Sequence, residues 1–187
     1  MIDTISERFA QQLAFEGELR VEWRALAALP TGEALMRLRD ANLTVLNLVS
    51  AVEEHRSDGT DDETGGAGEL VRLDAKVNLL LELVQRLVAR DQMPPARLAV
   101  RFNAHGLSIE RPANLAGAQW VTVYIHLDAC RAMPLELPAQ VVVLPDQAQV
   151  LLAFQDIGPA IEEALDRLVF RYHRRQIAID RRNAREE

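Results

Sequence analysis

Residues 69–90, ELVRLDAKVNLLLELVQRLVAR, run for 22 positions without a glycine or a proline, and no other stretch so narrows what the chain can fold into. Within it Leu70, Leu73, Val77, Leu80, Val84 and Leu87 recur at a 3-4-3-4-3 spacing, which keeps one seam turned toward a partner. In heptad terms Leu70, Val77 and Val84 take a, and Leu73, Leu80 and Leu87 take d. At about 1.5 Å per residue such a helix is roughly 33 Å long, more than a small domain needs for its own core. Leu79, Leu81, Leu83 and Val88 widen the apolar face beyond the stripe of a two-stranded coil. The pattern predicts a multi-helix bundle, formed between chains or by a hairpin lying on the rest of the fold.

A second helix is expected over residues 33–55, with Thr31 as its cap. Its seam is Leu35, Leu38, Asn42, Val45, Val49 and Val52, the same spacing with one polar member. Asn42 is either a buried amide that fixes register or a residue turned to solvent. Between the helices, residues 57–68 (SDGTDDETGGAG) contain no apolar side chain larger than alanine, the composition of a flexible linker. GGAG is not followed by the Gly-Lys-Ser/Thr of a phosphate loop.

Around the helices the period changes to two. Residues 15–26 alternate as a strand with Leu19, Val21 and Trp23 on one face. Residues 2–14 read as weakly helical or irregular. Pro94-Pro95 stops the long helix, and strands are expected at 97–102, 107–111, 119–129, 135–144 and 149–154. The intervening turns fall at 104–106, at 114–117, at Met133-Pro134 and at Pro145-Asp146. Six short strands at close spacing imply a small barrel or strongly bent sheet. Gly158-Pro159 opens a last helix over 160–179, with Ile161, Leu165, Leu168, Val169 and Tyr172 on the face that caps the sheet.

With 187 residues, 49% of them apolar and 26% charged, the chain has the composition of a folded soluble protein. A net charge of -7 removes any global attraction to nucleic acid or an anionic membrane. The single cysteine, Cys130, rules out an intramolecular disulfide and a multi-cysteine metal site, and it reads as a partly buried structural thiol in a reducing compartment. The N-terminus lacks the basic start and apolar run of a signal peptide, and no window is long enough to span a bilayer. A cytoplasmic location is expected. His55, His105, His126 and His173 fall at unrelated places, and neither HExxH, GxSxG nor GxGxxG occurs, so no catalytic or metal constellation is expected. The arginine-rich residues 171–185 carry interspersed acids and read as a solvated helix end or a partner-binding face.

The order of strand, small antiparallel barrel and terminal helix ending in FRYHRR resembles the PilZ domain, a bacterial module known for binding cyclic di-GMP. Residues 100–109, VRFNAHGLSI, are similar to the strand-turn-strand of that family's (D/N)xSxxG motif, with Arg101 and Asn103 at its two polar positions and Gly106 retained. Arg20 and Arg24 have the spacing of its RxxxR motif, whose guanidiniums clamp phosphate and guanine edges. They stand on a strand, however, with two long helices between them and the second motif. LDAKVNLLLELVQRLVAR followed by the proline-marked change to strands is similar to atypical, helix-inserted PilZ proteins in which a coiled coil joins four chains.

The expected architecture is therefore α+β, a small antiparallel PilZ-like barrel formed by residues 15–30 and 94–180, with a two-helix coiled-coil insertion at 31–93 and a C-terminal capping helix. The resemblance implies a non-enzymatic, self-associating module, tetrameric through Leu70 to Leu87. It also implies an unidentified protein partner, no metal, and links to type IV pilus function, motility or virulence. The departures at Arg101 and Asn103 imply weakened or lost cyclic di-GMP binding. In the alternative, the chain is a working receptor whose contacts are Arg20, Arg24, Asn103 and Gly106.

Overall fold

The computed structural model describes residues 2–57, 77, 95–115, 117–144 and 148–186. Among them are helix α1 (Ile2–Gln11), strand β1 (Phe15–Leu26), helix α2 (Gly32–Ser57), strands β2 (Arg97–Asn103), β3 (Gly106–Glu110), β4 (Trp120–Leu127), β5 (Cys130–Val143) and β6 (Gln149–Phe154), and helix α3 (Pro159–Glu186). All strand pairings are antiparallel, in the closed order β1-β2-β3-β6-β5-β4. The 57–68 linker beyond Ser57 and the seam residues Leu70, Leu73, Leu80, Val84 and Leu87 lie outside the described residues. Val77 is helical and 46% exposed.

Closure passes through a single residue. β1 pairs with β2 over Phe15 to Arg20 and with β4 over Arg20 to Leu26, so Arg20 stands directly opposite both Arg97 and His126. Inward alternation fills the barrel: Leu19 and Val21 from β1, Val100 and Phe102 from β2, Leu107 and Ile109 from β3, and Val121, Val123 and Ile125 from β4 are all buried in one cluster. Ile161, Leu165, Leu168 and Val169 of α3 join that cluster, as the sequence spacing requires.

The middle of the α2 seam is where the sequence puts it, with Asn42, Val45 and Val49 buried against the barrel of its own chain, whereas Leu35, Leu38 and Val52 are only half-buried and Leu46 and Glu53, outside the expected seam, are buried. Asn42, 2% exposed, donates from Nδ2 to the Glu136 carbonyl at 2.7 Å and accepts the Glu136 N–H on Oδ1 at 2.8 Å. These are the two bonds that a paired residue exchanges in an antiparallel ladder. β6 pairs with β5 only from Ala139 onward, so the side-chain amide of Asn42 takes the place of a strand at an otherwise unpaired edge.

One detail completes the sequence reading and another corrects it. Of residues 2–14, expected to be weakly helical or irregular, Ile2–Gln11 form helix α1, whose Phe9 packs with Val142, Leu151 and Ala153 in a small cluster on the outside of the barrel. Met133-Pro134 is not a turn but part of β5, and the chain reverses earlier, at Asp128-Ala129. Pro134 and Pro138 share backbone direction with Glu136, whose N–H points away from β4. Their missing donors therefore fall on the edge that has no strand partner.

Candidate functional site

Asn103 and Gly106 face each other across the β2–β3 hairpin. The Asn103 side chain is completely buried; Nδ2 donates to the Phe9 carbonyl at 2.9 Å and Oδ1 accepts the His105 N–H at 2.9 Å. The second bond is a local side-chain turn of the kind that favours asparagine before a reversal. The first ties down the C-terminal end of α1, where helix carbonyls have no intrahelical partner. Arg101 holds the same helix end, donating to the Ala10 carbonyl at 3.2 Å, pairing with Glu16 at 2.6 Å and lying 5.7 Å from the centre of the Phe9 ring. Gly106 is needed for close packing, since a Cβ there would stand 2.8 Å from the Leu152 carbonyl oxygen.

Arg20 and Arg24 lie elsewhere. Arg20 is opposite Arg97, so the length of β2, roughly 20 Å at about 3.3 Å per residue, separates it from Asn103. It donates to the Pro95 carbonyl at 2.8 Å, and Arg24 sits 5.4 Å from the centre of the Tyr124 ring. Of the four residues singled out from the sequence, the structure brings together Asn103 and Gly106 but not the two arginines with them.

Around Arg20 it gathers instead side chains that no motif announced. A cleft of about 180 Å3 opens between the first half of β1, the β4–β5 turn and α3, with Arg20, Arg97, His126, Tyr172 and Arg175 in its walls. In its wall, the buried Glu53 of α2 binds Arg171 at 2.9 Å and lies 3.7 Å from Arg175, while Arg171 also reaches Ser50 at 3.1 Å. Part of the arginine-rich segment thus fastens α3 to α2. The Tyr172 ring meets Phe15 edge-on at 5.4 Å, and burial together with the Glu53 charge pushes its phenol up to about 12. Burial also raises the Cys130 thiol, in keeping with an inert structural cysteine. No group of three metal-ligating side chains occurs among the described residues, and none of their helices is long and apolar enough to cross a membrane.

The profile of the atypical PilZ domain, described as a cyclic di-GMP receptor, matches residues 43–182. The chain belongs to the atypical PilZ domain family. Among solved structures, a pathogenic protein from Xanthomonas campestris is 27% identical, with a TM-score of 0.73 over 94% of this chain and 97% of its own. That protein is described as a tetrameric PilZ domain self-assembled via an unusual helical bundle. No curated protein matches. The PilZ fold of this chain is the six-stranded closed barrel with one helix after β1 and another at the C-terminal end.

Proposed function

We propose that this atypical PilZ protein is a non-enzymatic, self-associating interaction module of the bacterial cytoplasm that does not take cyclic di-GMP through Arg20, Arg24, Asn103 and Gly106. The observation that carries the reading is Asn103: its amide is fully buried beneath α1 and both of its hydrogen-bonding ends are already in use. A nucleotide would have to displace α1 and break both bonds to reach it, and the two arginines stand at the far end of β2. In this reading residues 31–93 form the assembly insertion and residues 15–30 with 94–180 the barrel. Val45, Leu46 and Val49 of α2 anchor the insertion in the barrel core, leaving the 70–87 seam for other copies. The tetrameric Xanthomonas relative supports four copies. A role in type IV pilus function, motility or virulence signalling accords with that relative's pathogenic character.

Light scattering on the purified protein tests the assembly, with a mass four times the 20.9 kDa chain expected. Leu80→Glu is expected to reduce it to smaller folded species, and a variant that keeps the parent mass rejects the seam. The family's description as a cyclic di-GMP receptor favours the other reading. Calorimetric titration decides between them: saturable heat at micromolar dinucleotide, abolished by Arg20→Ala, establishes a receptor.

A further inference from the structure

The register of β1 lines up three basic side chains across three strands. Arg97, Arg20 and His126 are direct neighbours, and paired residues in a sheet present their side chains on the same face. Like charges set directly opposite destabilise a sheet, so the Arg20-Arg97 pair opposes folding unless something anionic lies beside it. Arg97 has Asp128 at 2.6 Å, His126 has Glu22 at 3.3 Å, and Arg175 has Glu53 at 3.7 Å. Arg20 has only a neutral carbonyl, that of Pro95, and no carboxylate within ion-pairing distance among the described residues. Most of its guanidinium donors therefore remain available in the wall of the cleft.

The cleft also limits what can answer that charge. At about 180 Å3 it is smaller than the roughly 300 to 1,000 Å3 of pockets that hold drug-sized ligands, and so has room for a single side-chain-sized group. Glu18, Glu53 and Asp128 line it together with Arg20, Arg97 and Arg175. With Asp128 on Arg97 and Glu53 near Arg175, Arg20 and Glu18 are the charges of the cleft that have no ion pair among the described residues. That balance opposes a polyanion and leaves the Arg20 guanidinium for at most one carboxylate. Phe15, Tyr172 and Ile179 supply an apolar wall beside the guanidinium. The last residue of a polypeptide, when its side chain is apolar, combines one carboxylate with an apolar body of that size.

We infer that this cleft captures the C-terminal carboxylate of a partner protein that ends in an apolar residue, with Arg20 as the carboxylate-binding group and the Phe15-Tyr172 wall receiving the terminal side chain. This rests on the interaction-module reading and names the site at which the module holds its partner. A planar guanidinium fork matches a carboxylate in two parallel hydrogen bonds, which gives such a contact direction as well as strength.

The test is a titration of the full chain, labelled at isoleucine and leucine methyl groups, with N-acetyl-L-leucine. The methyl signals of Leu19 and Ile179, both of which border the cleft, are expected to move saturably at millimolar ligand, with N-acetyl-L-leucinamide, which lacks the charge, at least about tenfold weaker. Arg20→Gln is expected to weaken binding by a similar factor, Arg20→Lys to weaken it less, and Arg24→Gln, outside the cleft, to leave it unchanged. Equal binding of acid and amide, tighter binding of inorganic phosphate at the same methyl groups, or an Arg20→Gln variant that binds like the parent overturns the inference. A protein that is tetrameric and silent to the dinucleotide yet fails to bind N-acetyl-L-leucine loses this site while the proposed function stands.

Discussion

Asn103 and Arg20 lie at opposite ends of the β1–β2 pair, and their polar groups are treated in opposite ways. At the hairpin end the polar groups of Asn103 and Arg101 are matched inside the protein: the amide by Phe9 and His105, and the guanidinium by Glu16 and Ala10. At the other end Arg20 faces a second arginine and a histidine, and receives one neutral carbonyl. A buried polar group is retained when its loss would strand its partners, which makes the hairpin end structural. A half-exposed charge in an unfavourable row contributes little to stability and is free to serve binding.

The sharpest way to break this contrast is Asn103→Ala. It removes both hydrogen bonds and leaves the Phe9 carbonyl and the His105 N–H without their partner, at an expected cost of about 3 kcal/mol in denaturant unfolding. A loss below about 1 kcal/mol would show that the hairpin end is not held by this side chain. Gly106→Ala is expected to cost roughly 2 kcal/mol, because the new methyl meets a backbone oxygen of β6 that cannot rotate away. A stability within about 0.5 kcal/mol of the parent contradicts the close β3–β6 approach.

Tyr172 sharpens the other end. Its phenol, pushed up to about 12 in the fold against an unfolded value near 10, favours the neutral form in the native state. The unfolded chain therefore releases this proton first, and the stabilisation is fully present below pH ~10 and is lost as pH rises toward ~12, with a limit of roughly 3 kcal/mol. Spectrophotometric titration of tyrosinate in the parent and in Tyr172→Phe measures it. A Tyr172 that ionises near pH ~10 in the folded protein removes the buried-phenol account. The smallest effect is expected from Arg20→Gln, which loses one hydrogen bond but relieves the opposition to Arg97. Unfolding free energy should stay within about 0.5 kcal/mol of the parent, and a loss above about 2 kcal/mol would move Arg20 into the structural class with Asn103.

Much of the fold was legible in the residues. β1 and β6 begin and end where the alternation does, and the buried face of α3, with the middle of that of α2, is the one of its apolar spacing. Periodicity reports such faces because burial acts residue by residue along one element. It misread Met133-Pro134, since a proline signals a turn unless it happens to lie on an unpaired strand edge, and only the pairing reveals the edge. It left Asn42 undecided because an apolar seam carries no label for what covers it. The covering surface proved to be the backbone of β5, reached by a side chain 94 residues away in the chain.

The candidate site was much less legible. The motif residues Arg101, Asn103 and Gly106 were visible, but not that a short N-terminal helix would consume the first two. The cleft was invisible, because its walls come from residues 20, 97, 126, 172 and 175, scattered over most of the chain.

By itself, then, the sequence determined which residues turn inward, where helices and strands alternate, and that one long apolar seam needs a cover, all consequences of local period and hydrophobic burial. Only the tertiary structure decided that Asn42 completes a strand edge, that Asn103 is spent on α1, and that Arg20 stands beside Arg97 and His126 with no carboxylate among the described residues to pair with it. Those outcomes depend on strand register, and register is set by the closure of the whole barrel rather than by any one segment.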